Sequence, residues 1–224
     1  MNPDRSFRFL TAVAGAVGVS ILIASFIMNP GPPPGADLAF ALGFARQHAS
    51  TIAFAGWMQG MGSVLNVLFA LGLMQIAGAG RKLSGWLTLL SGAGILATSL
   101  AECGLYFAAV AAGKAGDTST LLTALTLIKG LQHVYLIVPA LLLPVGWTVF
   151  RSRILPPVFG CMALAIGAAL QVLGIAGVLD ALQPVVDTVL IVQGVWFLAA
   201  SVALAIQTLL AAPKPVAAPS LARA

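Results

Sequence analysis

Six stretches of the chain stay apolar for the length that a bilayer-crossing helix needs, about 20 residues. They run Phe9–Met28, Ile52–Ala77, Gly85–Ala112, Leu121–Phe150, Ile154–Leu179 and Val185–Ala212. Each is built of Ala, Leu, Val and Gly. Small residues such as Gly56 and Gly60 recur at spacings that let helix backbones approach closely. The pattern predicts an all-α fold, a polytopic six-transmembrane-helix bundle forming a single membrane domain over residues 1–212.

The polar breaks between these stretches predict the orientation. Arg5 and Arg8 precede the first stretch, Arg81 and Lys82 follow the second, Arg151 and Arg153 follow the fourth, and Lys214 and Arg223 follow the sixth. In a six-span chain all eight fall on one side, and cytoplasmic loops are the ones enriched in Lys and Arg. Both termini are therefore expected in the cytoplasm. Arg46, Lys114 and Lys129 fall in the outer half, as do Asp37, Asp117, Asp180 and Asp187. The first stretch resembles a signal peptide in its leading arginines. Its apolar core is longer than a signal's, and no small-x-small site follows, so an uncleaved helix is expected.

The first outer loop begins Asn29-Pro30-Gly31-Pro32-Pro33-Pro34-Gly35, which cannot be helical. A short helix is expected from Asp37 to Gln47, with Leu38, Leu42 and Ala45 on one face and Asp37 near its positive end. Pro139 and Pro144 predict a bend in the fourth span. The Pro/Ala-rich tail, residues 213–224, reads as disordered.

Composition agrees with this pattern. Of 224 residues, 60% are hydrophobic and 8% charged, too few charges to cover a soluble surface. The net charge of +5 is dispersed in pairs, with no basic run interleaved with aromatics, so nucleic-acid binding is not expected. Cys103 and Cys161 lie in apolar surroundings without metal-ligand or disulfide spacing. No HExxH, GxSxG, Walker or Rossmann pattern occurs, and His48 and His133 are the only histidines. Neither a metal nor another cofactor is expected.

The candidate chemistry lies in ionisable residues placed inside spans, which are costly there and point to function. Glu102 is in the third span, and Lys129 and His133 are in the fourth. Relative to the span midpoints, Glu102 lies roughly 5 Å outward and Lys129 roughly 10 Å outward. These two spans are antiparallel neighbours, so Glu102 and Lys129 can pair. Gln132 and His133 share a helix face with Lys129, and Tyr106 shares one with Glu102. Gln59, Gln171 and Gln193 occur at comparable depth, and Ser63 and Asn66 continue inward from Gln59. Gln59-Gly60, Lys129-Gly130 and Gln193-Gly194 stand 22, 22 and 21 residues before the next cytoplasmic cations, Arg81, Arg151 and Lys214. Twenty-two helical residues cover about 33 Å, which puts this layer toward the outer boundary.

Three uses of the layer stay open. It can tie helices together, or line an outward-facing cavity for a small ligand or lipid headgroup, with Glu102, Lys129, His133, Gln59, Gln193, Gln132 and Tyr106 as its residues. It can also perform acid/base catalysis on a lipid-like substrate through Glu102 or His133. A non-enzymatic binding protein is the leading expectation. A sensor or structural subunit has less support, because the cytoplasmic loops are short.

Along most of its length the chain resembles bacterial six-helix membrane proteins of the type called domain of unknown function 4386. The resemblance rests on Arg151-Ser152-Arg153-Ile154-Leu155-Pro156, a short basic turn followed by proline, and on Glu102 and Gln193. It implies the six-span topology and a bacterial cytoplasmic membrane, and no activity. The Pro-rich first outer loop departs from that pattern.

Overall fold

The computed structural model describes residues 3–29, 31–32, 36–137, 141–175 and 183–210, without the side chains of 3, 132–137, 175, 183 and 184. All regular structure among them is helical: α1 (Pro3–Met28), α2 (Leu38–Gln47), α3 (Ala49–Ile76), α4 (Leu83–Ala115), α5 (Thr118–Ile137), α6 (Leu142–Ser152), α7 (Pro157–Ile175) and α8 (Gln183–Leu210). Five of these, α1, α3, α4, α7 and α8, are long and apolar enough to cross a membrane by length and composition.

Of the stretch expected as one helix over 121–150, the described residues form α5 up to Ile137 and α6 from Leu142, and residues 138–140 between them lie outside the described residues. Pro139 lies outside the described residues. Pro144 sits in the first turn of α6. The tail after Leu210 is likewise outside the described residues.

α3 is the central helix, packed against α1 on one side and α4 on the other. Glycines set the α1–α3 distance. A Cβ on Gly62 would stand 2.9 Å from the Gly18 carbonyl oxygen, and one on Gly72 would overlap Thr11. α8 lies along α1 and α7. Trp196 Nε1 on α8 donates to the Phe159 carbonyl on α7 at 2.8 Å, which satisfies the indole while burying it to 1% exposure.

The basic end of the bundle assembles as the charge pattern requires. Arg5 at the start of α1 donates to the Leu209 carbonyl at the end of α8, at 2.7 Å. Thr148 on α6 donates to Ser84 at the start of α4, at 2.9 Å. Arg151 stacks its guanidinium 4.9 Å from the Trp147 ring centroid. Arg5, Arg8, Arg81, Lys82, Arg151 and Arg153 therefore belong to one end.

The opposite end carries α2. Asp37 precedes it and accepts from the Phe40 amide at 2.7 Å, the expected N-cap. The buried face is Ala41 and Ala45, with Leu42 packed beside them. Leu38, expected on that face, is exposed. The reason is small-residue packing: Ala41 and Ala45 fit Ala109 and Ala112 of α4 and Leu121 and Ala124 of α5. At Gly113 the approach is so close that a Cβ would stand 2.9 Å from that of Ala45.

Candidate functional site

The α3–α4 seam follows from one sequence regularity shared by both helices. On α3, Ala49, Ile52, Gly56, Gln59, Ser63, Asn66, Ala70 and Leu73 alternate three- and four-residue steps, and all are buried. On α4, Gly85, Thr88, Gly92, Ile95, Ser99, Glu102, Tyr106, Ala109 and Gly113 do the same. All of these are buried except Ile95 and Tyr106, which are half-buried. A repeat averaging 3.5 residues keeps one stripe facing its partner along the whole length of a helix pair.

The two stripes meet residue by residue. Gly56 faces Tyr106, where an added Cβ would come 3.2 Å from the tyrosine Cβ. Gln59 Nε2 donates to Glu102 Oε2. Ser99 Oγ donates to Ser63 Oγ at 2.8 Å. Gly92 faces Val67. The polar residues thus occupy successive middle layers of one interface. Apolar or small residues lie above and below them.

Glu102 is the most consequential of these residues. It is 2% exposed and stands three residues beyond the middle of α4, roughly 5 Å. Besides Gln59, Tyr106 Oη reaches its other oxygen at 3.4 Å from one turn away on the same helix. Both carboxyl oxygens thereby act as acceptors. Gln59 is 5% exposed, so the pair is enclosed. Burying a carboxyl here without partners would be prohibitive, and the Gln59 and Tyr106 donors lower that cost.

The remaining expected site residues fall in different places. Lys129 lies on the exposed side of α5. Its level matches that of Glu102, because Leu105 of α4 and Leu127 of α5 line one cleft together with Thr120 and Thr123. The side chains of Gln132 and His133 lie outside the described ones, though their backbone continues α5. Gln193 is half-buried on α8, a helix that packs on α1 and α7. Phe197, one turn further along α8, meets Phe69 of α3 with ring centroids 5.9 Å apart. Gly194, next to Gln193, faces Val19 and Ile23 of α1, the stretch that Gly62 of α3 meets through Gly18 and Leu22, so Gln193 lies near the level of Gly62, about 4 Å inward of Gln59. Gln59, Glu102 and Tyr106 are therefore the expected residues that the described contacts bring together.

Two features escaped the reading of the sequence. Ser99 joins the seam, and its signal was the unbroken three-four spacing from Gly92 through Ser99 to Tyr106. The second feature is an apolar layer just outward of Tyr106, made of Ala49, Ile52 and Val110 with Phe44 of α2 packed on it. No periodicity along a single helix could reveal it, because its members come from three helices.

Among the described residues no cluster of three or more His, Cys, Asp or Glu is placed to hold a metal. The fold and this seam define the class, a helical multi-pass membrane protein with a buried polar interface. No family model, curated protein or solved structure matches the chain.

Proposed function

We propose that this is a six-crossing protein of a bacterial cytoplasmic membrane, both termini inside, that binds a small molecule or lipid headgroup at Glu102. The sixth crossing is α5 and α6 acting end to end. Six basic residues gathered at one end of the bundle support the orientation. The basic turn Arg151–Arg153 ahead of Pro156 supports the kinship with domain of unknown function 4386 and, through it, the bacterial setting.

The observation that carries the binding reading is the buried carboxyl itself, held by donors from two helices in the outer half of the bundle. A purely structural seam could use serine, as the Ser63–Ser99 layer inward of Gln59 does. A carboxylate is the costlier choice, and it provides a strong acceptor for a ligand's N–H or O–H groups. The ligand class is accordingly one rich in donors, such as an amine-bearing headgroup. Lys129, Gln132, His133 and Gln193 are the further residues proposed to face it.

Ethanolamine serves as the headgroup probe, with choline, which lacks N–H donors, as its comparison. Ethanolamine is expected to raise the melting temperature of the detergent-solubilised protein, and choline to raise it less. Glu102→Gln, alone and with Lys129→Met, is expected to remove the ethanolamine shift. An unchanged shift in both variants, or no shift in the wild-type protein, overturns the reading.

A further inference from the structure

Glu102 is enclosed, so a ligand needs an entrance, and the apolar layer around Phe44 marks where it is. From the end that carries α2, the order of side chains is Phe44, then Ile52 and Val110, then Tyr106, then Glu102. Val110 is 8% exposed and Ile52 6% exposed, and both lie against Phe44 and Tyr106. Phe44 is the outermost of these side chains above the carboxyl.

Phe44 belongs to α2, the shortest helix among the described residues. α2 joins α3 through one non-helical residue, His48, at φ −104° and ψ 21°. On its other side lies the proline- and glycine-rich segment 30–35. Its own hydrogen bonds are closed locally, by Asp37 at the start and by the His48 amide on the Phe44 carbonyl at the end. It can therefore swing as a unit without breaking them. Its grip on α4 and α5 is made of Ala41 and Ala45 against small residues, plus a long 3.3 Å bond from Arg46 to the Lys114 carbonyl. Alanine side chains carry few atoms, so each contributes little dispersion energy to this attachment. The His48 ring lies 4.5 Å from that of Phe44, which couples the junction to the seal.

We infer that α2 is a lid hinged at His48, with Phe44 as the seal over the side chains that cover Glu102. The inference rests on the proposed binding at Glu102, since a lid needs something to cover. In the closed state Phe44 covers the layer of Val110 and Ile52. In the open state α2 lifts from Gly113 and exposes that layer, with Tyr106 next beneath it, to the aqueous face beside α2.

Two measurements on the full chain test this. Spin labels at Gly43→Cys on α2 and Leu122→Cys on α5, with Cys103 and Cys161 replaced by serine, report the lid distance. Gly43 has open space around it, and Leu122 is exposed. Two distances are expected, with Phe44→Ala moving population to the longer by about tenfold. In separate cysteine-free backgrounds, Val110→Cys is expected to react faster with a charged maleimide when Phe44→Ala is added. Ala200→Cys, fully buried on α8, is expected to stay unreactive. A single distance in both proteins overturns the lid, and so does reactivity that rises equally at both cysteines. If the lid opens but ethanolamine gives no melting shift, the lid stands and the ligand reading falls. If the shift appears with a single distance, the reverse holds.

Discussion

Two regions of the bundle are built differently. One continuous core joins α1, α3, α6, α7 and α8 through Phe69, Leu73, Met74, Val145, Leu170, Trp196, Phe197 and Leu204, nearly all fully buried, and it runs from Leu155 beside the basic turn to Val186 near the start of α8. At the end that carries α2, packing is divided into two small clusters, one made mostly of alanines and the other around Val110. The buried carboxyl lies in the α3–α4 seam, on the side nearer this end. Helices in lipid associate through close packing, because the lipid is as apolar as the side chains. Large interlocked side chains make the first region the rigid one. In the second, small residues bring backbones together, and each side chain contributes fewer contacts.

The sharpest way to break this contrast is to empty the rigid region. Trp196→Ala removes a buried indole, its bond to Phe159 and its edge contact with Phe197, whose centroid lies 5.2 Å away. It is expected to cost about 3–5 kcal/mol, read as lost thermal stability in detergent. A truncation in the alanine cluster, Leu121→Ala, is expected to cost less. An equal loss at the two positions would mean the regions do not differ.

Glu102→Ala comes next, at about 1–3 kcal/mol, because it leaves the Gln59 donor buried without an acceptor. Glu102→Gln keeps the shape and is expected to cost less, while still abolishing the ethanolamine response. If the alanine variant melts as the wild-type protein does, the carboxyl is not integrated into the seam as its contacts suggest.

The smallest effect is a pH response at the surface of the end that carries α2. Asp117 accepts from the Thr120 hydroxyl at 2.6 Å and from the Thr120 amide at 3.0 Å. The hydroxyl first, and then the amide, hold its carboxyl below the usual aspartate range. A lowered folded-state pKa means the stabilisation is present above the ordinary value and is lost as pH falls below it. Amide exchange in the first turn of α5 should therefore quicken in mild acid, after correction for intrinsic rates. Asp117→Asn should remove that dependence. A wild-type turn whose protection is unchanged down to pH 3 would refute the cap's role.

Much of this was legible from residue order. Long apolar stretches can only be helices in lipid, because every backbone group must be satisfied within the segment. Paired cations marked the polar breaks. The Asp37 cap of α2 and the Gln59–Ser63–Asn66 stripe were visible as local spacing, and so was the shared face of Glu102 and Tyr106. What spacing could not supply was partner choice between helices. It set Gln59 and Glu102 at comparable depth without showing that they bond, and Ser99, never singled out, bonds Ser63.

The sequence by itself determined the helices, their apolar lengths, the gathering of positive charge at one end and the costly carboxyl in the third span. These follow from local chemistry: transfer of side chains to lipid, backbone hydrogen bonding and proline geometry. The tertiary structure alone decided that α3 and α4 interlock through one polar seam and that α2 lays Phe44 over it. Those outcomes depend on which glycines and alanines meet across helices, a property of pairs of surfaces that no single segment contains.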